Sequence, residues 1–414
     1  MTARLAKSLP FALVAVAAMA LACPSVSAAS AAPSHCVAHA EDGPAAVGES
    51  VARARAAFAL SLLARAGDGT ANIAVSPFGV SRVLAGLDLG AGEAMKSAIA
   101  ATFGLGEPAF AELAATEHTL AATFSGDDAP LTSADALFAD ASLKVAPDVE
   151  RTIAAAAPLI FERLDFKSPA ALARINGLIA KKTRGRITSI LGPGMPPALV
   201  AINAFSFKDC WQTQFSPANT RPQPFHRLGG ASVERAMMHR SGADLAYARK
   251  GALQAVELGY SDARFALRLV TADKPTSLAD FAKSPDLAAL IGGAPLSSAS
   301  VDLTLPKFTG TGDYELLNAL SDMGLKSGLQ SPLQFPGFGD GLALSAIKQK
   351  TFVAVDETGT EAAAVTAAVV TAALARPTKS IAVSFDRPFV YALEYRATGT
   401  ILMIGYVADP GGKK

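Results

Sequence analysis

The residues whose types and order most directly imply chemistry run Asp356-Glu357-Thr358-Gly359-Thr360-Glu361-Ala362-Ala363-Ala364-Val365-Thr366. Between Glu361 and Arg376 lie fourteen residues without a charge, all Ala, Val, Thr or Leu, and no Gly or Pro occurs between Gly359 and Pro377. The chemistry on offer is backbone hydrogen bonding. Without Pro, every N–H is free to join a ladder. In an extended chain, Thr360, Ala362, Ala364, Thr366, Ala368 and Val370 share one face, small and uncharged throughout, while Glu361, Ala363, Val365, Ala367 and Val369 share the other. The first set could lie on a packed core, where a bulky or charged side chain would jam. Gly359 gives the backbone a hinge. Composition alone favours an Ala-rich helix or a linker, because Ala exceeds Val and Thr in helix propensity. The flanking strand patterns shift the reading towards a strand waiting to form.

Side-chain catalysis finds little support. The chain contains no Gly-x-Ser-x-Gly elbow, no His-Glu-x-x-His helix and no Cys-x-x-Cys pair. Gly337-Phe-Gly339-Asp-Gly341 follows Pro336 and reads as a turn. His118, His226 and His239 lack obvious catalytic neighbours in sequence, so the expectation is a protein that is not an enzyme and needs no cofactor. His35, Cys36 and His39 could look like metal ligands, but no further ligand sits nearby and the segment reads as a tail. Of the three cysteines, Cys23 lies in an apparent leader; Cys36 and Cys210 either pair or stand as free thiols, the latter being the simpler expectation.

The elements around these residues follow from capping and periodicity. Val51 to Ala66 has the spacing of an amphipathic helix. Ser76-Pro77 predicts an N-cap and first helical position for a helix over 78–89, and Ser168-Pro169 does the same for a helix to about Lys182. Leu199 to Phe207 reads as a central strand buried on both faces, with Asn203 a polar group in need of partners. Strands are predicted from Val301 to Phe308 and from Leu342 to Val355. Pro388 to Tyr395 and Thr400 to Val407 read as a hairpin turning at Ala397-Thr-Gly399. Helices dominate the first half and strands the second, an α+β order around a mixed sheet.

Half of the 414 residues are hydrophobic, ample for a large core. Arg4 and Lys7, the apolar run from Phe11 to Ala22 and Val26-Ser27-Ala28 read as a secretory signal over 1–28. Ala20-Leu21-Ala22-Cys23 weakly resembles a lipoprotein cleavage box, making a lipid anchor at Cys23 a minor alternative. Removing the two leader charges takes the formal charge from +1 to −1. No strong field then selects nucleic acid, and no other stretch has the length and apolarity of a membrane span.

Glu357-x-Gly359-Thr360-Glu361-Ala362-Ala363-Ala364-x-Thr366 resembles the hinge of the serpin family of protease inhibitors. Asn72-Ile-x-x-Ser76-Pro77 resembles that family's early helix motif, and Asn176 with Thr183, Arg186 and Ile187 another. Leu199 to Phe207, then Lys208-x-x-Trp211, Phe215, Asn219-Thr220 and Pro224-Phe225-His226, is similar to its central-strand signature. Met237-Met238, Leu305-Pro306-Lys307-Phe308, Pro388-Phe389 and Gly405-x-Val-x-x-Pro410 extend the likeness over about 45–410.

The resemblance implies a serpin fold with three β-sheets, eight to nine helices and an exposed reactive-centre loop over about 359–380. It implies a monomer with a single domain over 45–410; the leader implies that it is secreted or periplasmic, and the composition after it a flexible tail over 29–44. The partner it implies is a serine protease, elastase-like or subtilisin-like, with a cysteine protease as the other class. The protease cuts the loop as a suicide substrate, and the loop then inserts as a strand and traps the acyl-enzyme. Fourteen residues beyond Gly359 stands Ala373, followed by Leu374. The loop to Pro388 is a few residues longer than in familiar members, so Val370, Ala372 and Leu374 are the other candidates; Pro377 usually blocks cleavage at Arg376. The sheet is expected to open beside the Asn203 strand, with Trp211 at the opening point. Glu357 either pairs with Lys307 there or both are solvated charges. Ser76 and Asn203 match a polar cluster in which Gln349 replaces a common His and Gly79 a common Ser. The alternative is a non-inhibitory member acting as a binding or chaperone-like protein.

Overall fold

Ser76 accepts the Gly79 N–H and starts a helix at Pro77, and Ser168 does the same through Ala170 before Pro169, as the capping signals require. The computed structural model describes residues 48–124, 129–155, 159–194, 198–331, 333–339, 341–360 and 380–411. The helices are α1 (Glu49–Arg65), α2 (Pro77–Asp88), α3 (Glu93–Thr102), α4 (Glu107–Ala122), α5 (Pro147–Ala155), α6 (Pro169–Lys182), α7 (Leu278–Ala282) and α8 (Pro285–Ile291). A further segment from Leu317 to Leu329 is helical with a kink at Gly324, where φ is 141°.

The strands are β1 (Ile73–Val75), β2 (Leu131–Asp140), β3 (Ile160–Leu164), β4 (Leu199–Phe207), β5 (Asp209–Cys210), β6 (Arg221–His226), β7 (Ser232–Lys250) and β8 (Leu253–Gly259). They continue as β9 (Phe265–Ala272), β10 (Ser297–Pro306), β11 (Phe308–Glu315), β12 (Leu344–Val355), β13 (Gly359–Thr360), β14 (Ile381–Ser384), β15 (Phe389–Tyr395) and β16 (Thr400–Val407). One sheet has the order β3-β2-β4-β12-β13-β5, with β11 along β12. The other runs β1-β16-β15-β9-β8-β7-β10-β14, with β6 on β7. Where three sheets are expected, hydrogen bonding among the described residues links two of them. The reason is β7, whose 19 residues pair with β6 and β10 and then continue into β8.

All nine residues of β4 are buried, because both faces are covered. Ile175 and Ile179 of α6 pack with Val200, Ile202 and Ala204 on one face. On the other, α2 packs against β2 and β4, and also against β16 of the second sheet. α2 therefore lies between the sheets, with the seam between β4 and β12 passing over it. The motif asparagines fasten connecting segments to this core. Asn72 accepts the Ala408 and Asp409 N–H groups, and Asn176 accepts those of Ile190 and Leu191.

Candidate functional site at the hinge and the strand seam

β4 and β12 are parallel neighbours, paired from Leu199–Leu344 to Ser206–Phe352. Beyond that point the seam parts and β13 enters it: Thr360 pairs antiparallel with Val355 of β12 and with Asp209 of β5. The expected loop start is thus corrected. Gly359 and Thr360 are buried strand residues, with Thr360 0% exposed. Gly359 also meets a demand that the sequence did not show. Its φ is not positive, and what the site needs from it is close approach, since a Cβ there would overlap the Asp209 carbonyl oxygen.

Several side chains fix this entry. The Thr360 and Tyr260 hydroxyls are 2.6 Å apart, and the Tyr260 ring stacks on Trp211 at 4.6 Å. Trp211 donates through Nε1 to the Asp356 carbonyl at 2.9 Å. Asp356 Oδ1 accepts the N–H groups of Thr358 and Gly359, forming the tight turn that aims β13 into the seam. Burial raises the Asp356 carboxyl above its usual range despite those bonds. Lys307 Nζ lies 2.9 Å from Glu357 Oε2, and Thr220 donates to Oε1. The open choice at Glu357 therefore resolves as an ion pair. Burial pushes that carboxyl up, but the bonds from Lys307 and Thr220 outweigh it and hold Glu357 low. Burial pushes Asp209 up to about 6, against bonds from the Asp262 N–H, Ser261 and the Cys210 N–H.

Beneath the seam lies a continuous polar chain. Ser76 donates to the Leu402 carbonyl at 2.7 Å, and its N–H donates to Gln349 Oε1 at 2.9 Å. Gln349 Nε2 donates to Asn203 Oδ1 at 2.8 Å, and Asn203 Nδ2 to Asp135 Oδ1 at 2.6 Å. Arg82 Nε donates to Asp135 Oδ2 at 2.7 Å, with both side chains buried. Gln349 spans the gap expected of a His, donating and accepting at once. Gly79 also finds its reason: a Cβ there would overlap the Asn203 amide, which occupies the volume a Ser side chain would need. Gly79→Ser should therefore destabilise the protein by about 1–3 kcal/mol, the range for overpacking a filled core, read as an earlier urea midpoint.

Glu117 of α4 joins this network from the side, its carbonyl accepting from Arg82. Burial pushes its carboxyl up to about 7, with Arg55 and Arg82 pulling against the rise. Between the ordinary value of 4.5 and about 7 the folded protein keeps a proton that the unfolded chain has released. Stability from this group therefore falls as pH rises through that window. Glu117→Gln should match the parent at the acid end and exceed its thermal midpoint above neutrality. Equal midpoints at both ends would refute this assignment.

Asp135, Arg82, Tyr260 and Asp209 were not singled out from sequence, and Asp356 was named only as the first residue of the hinge segment. An acid within the apolar run Leu131–Phe138 was a visible signal for a buried charge, and Asp-x-x-Gly for the Asp356 turn. Nothing marked Tyr260. Glu361, Ala362, Ala363, Ala364, Thr366, Val370, Ala372, Ala373 and Leu374 lie outside the described residues, as do Cys23, His35, Cys36 and His39. Cys210 is disulfide-bonded, which overturns the simpler expectation of free thiols; the other two cysteines are not among the described residues. His226 meets Ser232, and His239 meets Thr304 and Ser241. Among the described residues no three His, Cys, Asp or Glu side chains form a metal-binding group, and no helix is long and apolar enough to cross a membrane.

Known proteins share this fold. The family model described as serpin (serine protease inhibitor) matches residues 53–410. Serpin-Z2A of Triticum aestivum is 29% identical over 362 residues, covering 82% of this chain and 90% of its own. Antithrombin-III of Mus musculus is 32% identical over 294 residues, covering 68% of this chain and 62% of its own. Among solved structures, the thermophilic serpin tengpin in its native state superposes with a TM-score of 0.78 at 22% identity, over 90% of this chain and 97% of that one. Uncleaved ovalbumin gives 0.75 at 19% identity, over 87% and 100%. With the family model spanning most of the residues and the hinge seated at the seam of the seven-stranded sheet, this chain belongs to the serpin family.

Proposed function

We propose that the protein is an exported suicide inhibitor of elastase-like or subtilisin-like serine proteases, cut at Ala373–Leu374 and acting by inserting its severed loop between β4 and β12. The observation that carries this is β13, already antiparallel to both β5 and β12. Extending it would replace one parallel seam with two antiparallel ladders, the more favourable pairing per residue. Its register has a definite consequence. Each two-residue step beyond Thr360 is a two-residue step back along β12, so Thr366 would fall opposite Gln349 and Asn203, which already face each other. Thr366 would then add a hydroxyl to the polar chain, and the Ala residues before it would fit the covered face. A dozen new hydrogen bonds at about 1 kcal/mol net would supply roughly 10 kcal/mol to drive the change. Strand insertion of this sort is a recognised mode of strand addition.

The leader over 1–28 supports export, and Ala373 suits a shallow specificity pocket. Incubation with pancreatic elastase, followed by a denaturing gel, tests the reading. A covalent band of summed mass, with release of a fragment beginning at Leu374, is expected. Clean cleavage with no adduct would assign the chain to the binding or chaperone-like class instead.

A further inference from the structure

A groove of about 710 Å³ lies between the end of α4, β2 and the C-terminal half of α6. Its floor is apolar: Phe78, Phe124 and Leu131 line it, and all three belong to the same hydrophobic cluster. Its rim is cationic, with Arg174, Lys181, Lys182 and Arg184 along one side. The volume falls within the range of small-molecule sites.

Part of the rim's charge has no acidic partner among the described residues. Arg174 forms a two-pronged pair with Glu162, and Arg184 donates to the Ala129 carbonyl. Lys181 and Lys182 are exposed in the last turn of α6 and have no acidic partner among the described residues. Lysines there complement the negative end of the helix, but that role needs no adjoining cavity. Asp135, the carboxylate in the lining, is already bonded to Arg82 and Asn203. An incoming anion would meet two unpaired ammonium groups and no unpaired carboxylate among the described lining residues.

Gly177 shows that the space is open on the helix side. It lines the groove, and a Cβ built on it meets nothing within 4 Å. Elsewhere α6 seals onto the sheet through Ile175 and Ile179. At Gly177 it stands off.

We infer that this groove binds an anionic amphiphile, with its acidic head at Lys181 and Lys182 and its apolar body on the Phe78–Phe124–Leu131 floor. Such a ligand would bridge α6 to α4 and β2, beside the Asp135 end of the polar chain. The inference does not depend on whether the chain inhibits a protease.

Titration calorimetry of the full-length protein with submicellar dodecanoate tests it, using dodecanol as the uncharged control. One molecule should bind per chain, with dodecanol at least about tenfold weaker, and added salt should weaken dodecanoate as it screens the lysines. Lys181→Glu with Lys182→Glu should lower affinity at least about tenfold by reversing the rim charge. Gly177→Phe should lower it as much by filling the groove, and its thermal midpoint confirms that the variant folds. Absence of saturable one-to-one binding would overturn the proposal. So would dodecanoate binding that survives Gly177→Phe, or that is blocked by Gly177→Phe but indifferent to charge reversal.

Discussion

Thr360→Arg should turn a trapping inhibitor into a substrate, lowering the yield of covalent protease complex by roughly tenfold or more while leaving the loop cleavable. Thr360 is fully buried at the entry to the seam, its hydroxyl shared with Tyr260, itself buried and stacked on Trp211. A guanidinium cannot be desolvated there without a partner, and the acids nearby are already engaged: Asp209 by three donors and Glu357 by Lys307 and Thr220. The side chain would be expelled, carrying the hinge out of register. Thr360→Val separates shape from hydrogen bonding. It keeps the volume but leaves the Tyr260 hydroxyl without its partner, costing about 1–3 kcal/mol of native stability while insertion still proceeds. The gel assay reads the first effect and urea unfolding the second. Undiminished trapping by Thr360→Arg would mean that insertion does not begin at this residue.

Asp135→Ala should be the most destabilising single change beneath the seam, at about 3–5 kcal/mol, because it strands the Arg82 guanidinium in the core. It also removes the acceptor for the Asn203 amide, so β4 loses an anchor. The cost belongs to the unpaired charge more than to the pair. Arg82→Met combined with Asp135→Asn removes both charges, keeps an acceptor for Asn203, and should recover most of the loss. Chemical unfolding of the two variants beside the parent decides this. If the double variant is as unstable as Asp135→Ala, the defect lies in packing rather than in the buried charge.

Much of this site could be read from residue order because its logic is local. The cap at Ser76, the two-faced burial of Leu199–Phe207 and the small, uncharged series after Gly359 each follow from a few neighbouring side chains. So does the need of Asn203 for partners. The partners themselves could not be read. Asp135 and Gln349 lie 68 and 146 residues from Asn203 in sequence, and only sheet pairing brings them into contact. Tyr260 reaches Thr360 across 100 residues for the same reason.

Gly359 and Gly79 draw the same boundary. Sequence marked one as a hinge and the other as a missing hydroxyl. The fold adds close approach at both, one against the Asp209 backbone and the other against the Asn203 amide, because what a missing Cβ makes room for is known only once the facing strand is in place. By itself the sequence determined the family, the helices and strands marked by a cap or a period, and the small, uncharged series after Gly359, since capping, periodicity and side-chain size act over a few residues. The tertiary structure alone decided that the ribbon's first two residues already lie in the sheet and that a buried ion pair underlies the seam. Those outcomes depend on strand register between distant segments, which no local pattern encodes.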